Sequence, residues 1–404
     1  MQNNQKIPDG WSVKKLGKCV HILGGYAYDS SECTSAGVKW LKIANVGKGK
    51  LEKSEFDYLP IEYKVSTKNY LLKKGDIVMA LTRPITDNQL KIAYIDDDEY
   101  LLNQRVGKLL FPDDVYADFI YNQLISSKIV CRISSLLIGT DPPNLTGNVL
   151  NQINVFIPPL DEQKKITEIL GTWDEAIKKL SDLIEQKKLL KKGLMQKLLT
   201  GKTCLPGFTQ PWKEVKLGEI CKLGTALSKS SLIIENGKYY VIDMGAVSSE
   251  ATLILTKRTD SNEDLLVLND IVMPKDDIGG GNIIGKTALI KKDNTYVLSD
   301  HIFKLKIHEA DANFIAYLIN LYKYNKYMRR MSCGSAILGL AKKDVEKCLL
   351  YIPTDIAEQK AIADILSAAD EEIDVFNKKL ETLKEQKKGL MQKLLTGKIR
   401  VKVN

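Results

Sequence analysis

The sequence predicts an α+β fold in which two tandem α+β domains are separated by two long helices that pair as an antiparallel, pseudo-twofold coiled coil. The first reason is a tandem repeat, because the twelve letters KKGLMQKLLTGK occur at 191–202 and again at 387–398. The second is an apolar stripe with a period of about 3.5 residues before each copy. The third is that the rest of the chain is rich in short β-branched and aromatic runs bounded by Gly, Asp and Asn.

The repeat extends well beyond those twelve letters. DEQKKITEIL at 161–170 corresponds to AEQKAIADIL at 357–366, and a run ending in Ile-Pro precedes each. The halves also open alike, with GWSVKKLG at 10–17 and PWKEVKLG at 211–218. We therefore predict four segments, namely a variable domain at 1–160, a helical spacer at 161–202, a second variable domain at 203–356 and a second helical spacer at 357–404.

The spacers are predicted to be helices because their apolar residues alternate in steps of three and four. The stripe positions that would form the spacer and dock a partner are Ile166, Leu170, Trp173, Ile177 and Leu180 in the first helix and Ile362, Leu366, Ile373, Phe376 and Leu380 in the second. A helix with such a stripe must bury it, and the other copy is the simplest partner. The short connection at 203–210 favours an antiparallel pair with the variable domains at opposite ends.

Glycines punctuate both helices at equivalent positions. Gly201 and Gly397 follow the last apolar residue, where they are predicted to cap the helix C-terminus. Gly193 and Gly389 lie inside the pattern, where glycine costs about 1 kcal/mol relative to alanine. We therefore expect a close helix contact or a bend at these two positions.

The variable domains are predicted to share one ancestry. GDIVM at 75–79 and NDIVM at 269–273 occupy equivalent places in strand-rich regions, and helical patterns at 117–133 and 311–328 also correspond. The loops between the strands differ freely, so the two domains combine a shared frame with unlike edges.

Composition excludes several classes of protein. No run approaches the ~18 apolar residues of a membrane helix, and the start MQNNQKIPDG lacks a signal-peptide core, so a cytoplasmic location is expected. The cysteines are scattered and His21, His301 and His308 are dispersed, so neither disulfides nor a metal site is predicted. The net charge of +9 suits a polyanion partner but is equally compatible with ordinary solubility.

Two loops between predicted strands are candidates for nucleic-acid contact. LTRPITDNQLK at 81–91 carries side-chain types that can read base edges, and the glycines of IGGGNIIGK at 278–286 would allow close approach to a nucleic-acid backbone, although a flexible hairpin is the simpler interpretation. The candidate DNA-binding residues are Arg83, Asn88, Gln89 and Lys91 in and near the first loop and Lys275, Asn282 and Lys286 in and near the second.

No catalytic site can be assembled from the sequence. DPP at 141–143 resembles the start of the amino-methyltransferase tetrapeptide, but Asn144 stands where an aromatic residue should stack on a flipped base. No glycine-rich strand-turn-helix for S-adenosylmethionine lies upstream, so a rigid Pro-Pro turn is the preferred interpretation. We predict neither catalytic nor metal-binding residues.

The layout as a whole resembles the specificity (S) subunit of type I DNA restriction-modification enzymes. The resemblance rests on GLMQKLLTGK closing each helix, on Ile-Pro followed by EQ-K at each helix start, and on Gly-Trp or Pro-Trp opening each domain, and it covers essentially the whole chain. It implies two target-recognition domains that read an asymmetric, bipartite target on double-stranded DNA, with the paired helices setting the gap.

The same resemblance implies partners and cofactors. Two modification subunits would dock on the repeated helices, bind S-adenosylmethionine and methylate adenine N6. Two restriction subunits, which translocate and cut DNA, would bring ATP and Mg. From the residues alone two alternatives stay open, namely a coiled-coil scaffold with two protein-binding modules and a self-contained DNA methyltransferase, which the missing cofactor loop opposes.

Overall fold

The computed structural model describes residues 7–138, 141–203, 205–335 and 337–403. The chain forms two compact units, unit 1 with Met1–Leu180 and Lys379–Asn404 and unit 2 with Ser181–Lys378. Each unit therefore contains one variable region, the first half of the long helix that follows it and the second half of the other long helix. The predicted domain boundaries follow the chain instead of this division and stay predictions.

Unit 1 is built from twelve strands and the helices around them in its described residues. Its strands are β1 Ser12–Lys15, β2 His21–Gly24, β3 Val38–Leu41, β4 Asp57–Leu59, β5 Leu71–Leu72, β6 Ile77–Ala80, β7 Ile85–Thr86, β8 Gln89–Leu90, β9 Ile92–Tyr94, β10 Tyr100–Leu102, β11 Val106–Leu110 and β12 Asn154–Ile157. Its helices are α1 Leu16–Cys19, α2 Tyr63–Ser66, α3 Ala117–Ile125, α4 Ser127–Leu136, α5 Gly147–Leu150 and the first half of α6 Leu160–Leu198. The sheets run β2-β11-β6-β9, β4-β3-β10-β5, β1-β12 and β7-β8.

Unit 2 repeats this plan. Its strands are β13 Trp212–Lys216, β14 Cys221–Gly224, β15 Tyr239–Ile242, β16 Arg258–Thr259, β17 Ile271–Pro274, β18 Asp276–Asp277, β19 Ala288–Leu289, β20 Tyr296–Leu298, β21 Ile302–Ile307, β22 Leu338–Gly339 and β23 Leu349–Pro353. Its helices are α7 Leu217–Ile220, α8 Ala312–Ile319, α9 Tyr322–Met331, α10 Lys342–Glu346 and the first half of α11 Ile356–Leu394. The sheets run β14-β21-β17-β19, β16-β15-β20, β13-β23 and β18-β22.

The two units share the topology of their main sheets, although the four-stranded sheet β4-β3-β10-β5 of unit 1 corresponds to the three-stranded sheet β16-β15-β20 of unit 2. The sheet β2-β11-β6-β9 corresponds to β14-β21-β17-β19, and each is antiparallel throughout. The parallel pair β3 and β10 corresponds to β15 and β20. The central strands β6 and β17 are buried along their whole length, as expected of strands covered on both faces. The predicted α+β class with a common frame is confirmed.

Each predicted helix at 117–133 and 311–328 is in fact two helices. Ser126 is extended, with φ −66° and ψ 140°, and its hydroxyl accepts a hydrogen bond from the Ile129 amide as an N-cap of α4. Leu321 is extended in the same way before α9, with φ −60° and ψ 143°. Apolar spacing does not predict either break, because it continues across both of them, and the cap of α4 depends on Ser126 alone.

The core of unit 1 lies between its antiparallel sheet and helices α3 and α4. Phe119 and Ile120 of α3, both 0% exposed, pack with strand residues such as Met79. The start of α6 and the end of α11 complete this core. Unit 2 uses the corresponding elements, with Phe314 and Ile315 of α8 against the sheet.

Within each unit the two long helices run antiparallel and are joined by ion pairs. In unit 2, Lys187 pairs with Glu372 at 2.6 Å and Lys191 pairs with Asp370 at 2.5 Å, so numbering rises on one helix as it falls on the other. In unit 1, the Lys387 ammonium lies 2.5 Å from the carboxylate of Asp174. The last two pairs are the same pair by the internal repeat, made once in each unit.

The glycine predictions have mixed outcomes. Gly201 and Gly397 both have φ +68°, the left-handed conformation of a helix C-terminal cap, so those predictions are confirmed. The expected close contact at Gly193 and Gly389 is wrong, because a Cβ built at either would meet no heavy atom of the described residues within 4 Å apart from its own turn of helix. The helices α6 and α11 also continue without interruption through these positions. The space beside each glycine is open, and the alternative expectation of a bend stays a prediction.

Candidate nucleic-acid interface

In unit 1 the first candidate loop is a tight hairpin of β7 and β8. Asp87 and Asn88 form its two-residue turn with φ +50° and +56°, a left-handed pair that matches the strand twist and that Asp and Asn tolerate well. Arg83, Asn88 and Gln89 are exposed, and Leu90 is buried beneath the hairpin. Two of the predicted side chains, Asn88 and Gln89, are therefore exposed on the hairpin, and Arg83 is exposed two residues before its first strand.

Lys91 differs from these three. Its ammonium donates a hydrogen bond to the Ile43 carbonyl at 2.6 Å, and burial lowers its pKa. The side chain is thus held against the protein, whereas Lys48 reaches the turn itself and pairs with Asp87 at 2.9 Å. Contact between Lys91 and DNA stays a prediction.

The Pro-Pro segment supports the start of this hairpin. The Pro143 carbonyl accepts a hydrogen bond from the Arg83 amide at 2.8 Å, and the Asn144 side chain accepts one from the Thr82 hydroxyl at 2.6 Å. These contacts agree with the preferred interpretation of the segment as a rigid turn. They also link it to Arg83, which has φ +49°.

In unit 2 the glycine-rich loop runs from β18 to β19 and so belongs to the connection between the paired strands β17 and β19, as the hairpin of unit 1 belongs to that between β6 and β9. Asp277, 3% exposed, accepts hydrogen bonds from the amides of Gly279 and Ile283, the latter at 2.8 Å. Gly285 has φ +68°, and a Cβ there would lie 2.4 Å from Met328. The loop is a hairpin connection, as predicted, with its base fixed by a buried carboxylate.

The predicted residues of unit 2 flank this loop. Asn282 is exposed, but its side-chain amide donates to the Gly279 carbonyl at 2.7 Å. Lys286 is half-buried, and burial lowers its pKa, with the positive charge of Arg329 lowering it further. Lys275 is half-buried beside the Phe303 ring, 6.0 Å from its centroid. Side chains are thus less available for base contact here than in unit 1.

The predicted stripe residues lie partly in the domain cores and partly along the helix pair. Ile166, Leu170, Ile362 and Leu366 are 0% exposed, so they join each helix start to its own domain. Ile373 is 7% exposed. The half-buried positions are Trp173, Ile177, Leu180, Phe376 and Leu380. Burial supports the spacer role of these side chains, and partner docking stays a prediction.

The repeated Trp and Glu of the sequence meet at a junction in each unit. The indole of Trp11 donates to Glu162 at 2.9 Å, and that of Trp212 donates to Glu358 at 3.3 Å. Both carboxylates are almost fully buried. In unit 1, Arg400 adds two hydrogen bonds to Glu162, at 2.7 and 2.9 Å. The opening Trp therefore ties each domain to the start of its helix.

The repeated Gln completes this junction. Gln163 accepts a hydrogen bond from the Tyr116 amide at 2.8 Å, and Gln359 accepts one from the Asp311 amide at 2.9 Å. Each Gln thereby satisfies the backbone at the residue before α3 or α8. The EQ motif of the repeat is explained by helix-to-domain packing.

Among the described residues, no group of His, Cys, Asp and Glu side chains could hold a metal ion. Over the same residues, no helix has the length and apolarity needed to cross a bilayer.

Comparison with known proteins adds a family to this geometry. Residues 8–187 and 209–385 match the family described as "Type I restriction modification DNA specificity domain". The type I restriction enzyme MjaVIII specificity subunit of Methanocaldococcus jannaschii is 39% identical over 200 residues, and the chain spans about half of that relative, 47%. The StySPI specificity subunit of Salmonella potsdam is 21% identical over 421 residues, which cover 98% of this chain and 90% of that protein.

Solved structures show the same fold. The type I restriction-modification S subunit from M. genitalium superposes with a TM-score of 0.61 at 17% identity, covering 98% of each chain. A chain solved to explain complex assembly and conformational transition of the type I R-M system gives a TM-score of 0.54 at 17% identity, covering 98% of this chain and 100% of that one.

Proposed function

Because the chain belongs to the family of type I restriction-modification DNA specificity domains, we propose that it reads an asymmetric, bipartite DNA target and docks two modification subunits. Those subunits would bind S-adenosylmethionine and methylate adenine N6 in each half-site. Two restriction subunits, with ATP and Mg, would complete the nuclease form. This chain contributes recognition and assembly, and the chemistry belongs to its partners.

The observation that carries the proposal is one scaffold with two unlike edges. Between equivalent strands, unit 1 exposes Arg83, Asn88 and Gln89, whereas unit 2 exposes a loop of glycines. Arg reads guanine and Asn or Gln reads adenine through paired hydrogen bonds in the major groove. Two domains that share a frame and differ at this edge are suited to different half-sites.

Docking of two equal partners is supported by the exposed part of the twelve-letter repeat. Lys192 and Lys197 are exposed on α6, and their copies Lys388 and Lys393 are exposed on α11. Packing within each unit does not require exposed residues to be identical, because they contact no core. A single kind of partner that binds both copies would require it.

The proposed spacer role can be tested by length. One heptad adds ~10.5 Å to a helix and a base pair rises ~3.4 Å, so inserting seven residues in both α6 and α11 should widen the gap in the target by about three base pairs. Sequencing of methylated DNA measures the gap. An unchanged gap would refute the spacer.

Recognition and docking can be tested together by co-expression with a type I modification subunit. We expect two modification subunits to co-purify per chain and adenine methylation at one bipartite motif. Methyl transfer by the isolated chain would instead favour a self-contained methyltransferase. A complex indifferent to DNA sequence would favour the scaffold alternative.

A further inference from the structure

Helix α9 of unit 2 has a strongly basic outer face. Lys323, Lys326, Arg329 and Arg330 are exposed, whereas Tyr324, Asn325 and Met328 are among its buried side chains. The helix contains no Asp or Glu. Its charge of four cations in ten residues is therefore concentrated on the side that faces solvent.

These cations are not neutralised by the described part of the chain. None of the four takes part in an ion pair there, although other lysines of the unit, such as Lys257, pair with carboxylates. The ammonium groups of Lys323 and Lys326 lie instead over the rings of Tyr324 and Tyr322, at 5.2 and 5.5 Å from the centroids. Uncompensated cations on a rigid helix form a positive surface suited to an anionic partner.

The basic face is continuous with the glycine-rich loop. The Arg329 guanidinium donates to the Gly280 carbonyl at 3.5 Å, and a Cβ at Gly281 would lie 3.4 Å from its Nε. Asn325 donates to the Ile284 carbonyl at 3.1 Å, which fixes the loop on the inner side of the helix. Gly280 is exposed, with nothing within 4 Å of its Cβ position among the described residues. A ligand on α9 could therefore reach bare loop backbone.

We propose that the exposed face of α9, with the adjoining glycine loop, binds the phosphodiester backbone of DNA and supplies affinity without reading sequence. The inference rests on the proposed DNA-recognition function and assigns a role to residues outside the predicted contact set. Lys323, Lys326 and Arg330 lie on one side of the helix over a rise of ~10.5 Å, about three phosphate-to-phosphate steps of ~3.4 Å along one DNA strand. Phosphate contacts of this kind position a protein on the duplex.

The equivalent helix of unit 1 lacks this property. In α4 the exposed residues include only two cations, Lys128 and Arg132, together with Cys131, Ser134 and Ser135. Lys128 lies over the Phe156 ring, 5.5 Å from its centroid. The basic face is therefore particular to the unit whose loop offers few side chains for base contact.

The test compares two triple variants of the full chain in its modification complex. The first is Lys323→Gln, Lys326→Gln and Arg330→Gln, which leaves Arg329 on the loop. The matched control is Lys213→Gln, Lys222→Gln and Lys306→Gln, exposed lysines of the strands of unit 2 with the same loss of charge. Binding to a scrambled duplex and to the target found by methylation mapping is measured over a salt series.

Each lost phosphate contact lowers the slope of log affinity against log salt by about 0.9. We expect the α9 variant to lose up to about 2.7 in slope on both duplexes, with discrimination between them and the unfolding midpoint unchanged, and the control to keep the wild-type slope. Equal behaviour of both variants would overturn the proposal. So would lost discrimination at an unchanged slope, which indicates base reading, or loss of a co-purified subunit with DNA binding intact, which indicates an acidic protein partner. If the wild-type complex bound the target and the scrambled duplex equally well, the proposed recognition function would be refuted. The α9 proposal would still be tested in that case, because the salt slope on the scrambled duplex can still be compared between the variants.

Discussion

The two units connect equivalent strands with loops of opposite character. Between β6 and β9, unit 1 has a tight hairpin that exposes Asn88 and Gln89, whereas between β17 and β19, unit 2 has a glycine loop fixed by Asp277. One buried aliphatic residue anchors each connection, Leu90 at 3% exposure and Ile284 at 0%. Because a buried aliphatic residue holds each connection against its sheet, the exposed part of the edge is free to change its chemistry.

The helices α4 and α9, which are equivalent in the two units, also differ in the charge that they expose. Unit 1 combines a hairpin rich in hydrogen-bonding side chains with a weakly charged α4, and unit 2 combines a bare loop with the basic face of α9. If both units bind DNA, unit 1 should depend more on base contacts and unit 2 more on phosphate contacts.

The largest effect is expected from exchanging a whole reader. Replacing residues 1–155 with those of a relative should change one half of the methylated motif completely and leave the other half intact, because each unit has its own core and its own edge. Methylation mapping in cells that express the chimera measures both halves. A change in both halves would contradict independent readers.

Single side chains of the hairpin should have the next largest effect. Arg83→Ala, Asn88→Ala or Gln89→Ala should each cost about 1–3 kcal/mol of discrimination at one base pair if the side chain makes a bidentate contact. Competition binding with singly substituted duplexes measures this loss.

The matched variant in unit 2 is Asn282→Ala. Its amide is already engaged by the Gly279 carbonyl, so it should cost less discrimination than the hairpin variants. If Asn282→Ala cost more discrimination than each of the three hairpin variants, the roles would be reversed. Unit 2 would then be the unit that depends more on side-chain contacts with bases.

A change at Asp277, the buried carboxylate at the base of the glycine-rich loop, should affect the free energy of unfolding more than it affects DNA recognition. Asp277→Asn replaces one carboxylate oxygen with a donor that faces another amide, so we expect about 1–3 kcal/mol off the free energy of unfolding. Asp87→Asn, in the exposed turn of unit 1, should stay within about 0.5 kcal/mol of wild type. Denaturant titration of both variants decides this, and equal losses would mean that the hairpin turn is also an anchor.

The two-part fold of the molecule could be predicted from the sequence because the chain contains an internal repeat. The long helices at Leu160–Leu198 and Ile356–Leu394 follow the repeated apolar stripe, and the pairing of Lys191 with Asp370 recurs as Lys387 with Asp174. The lysines that pair across the two helices could not be predicted, because each partner carboxylate lies on the other helix. Sequence spacing carries no such information.

The candidate site could be predicted only where chemistry is local. The residue types of Asp87 and Asn88 indicate the hairpin turn, because Asp and Asn tolerate left-handed backbone well. The contact of Arg329 with Gly280 joins residues far apart in the chain, and the apolar period at 311–328 predicts a helix without showing what its exposed face does. The basic face of α9 has one signal in the sequence, a stretch of ten residues with four lysines and arginines and no carboxylate.

The smallest effect concerns the lysines that follow the two loops, Lys91 and Lys286. Burial lowers the pKa of both below the usual 10.5, so the unfolded chain binds more protons than the folded one just below that value. Each lysine therefore makes the free energy of unfolding rise with pH as pH approaches 10.5, and that contribution is lost as pH falls to the folded pKa. Lys91→Met and Lys286→Met should each flatten this rise in alkaline denaturant titrations. A flattening in both would mark the two lysines as equivalent buried supports of their loops, and a slope unchanged by Lys91→Met would return Lys91 to the set of side chains free to contact DNA.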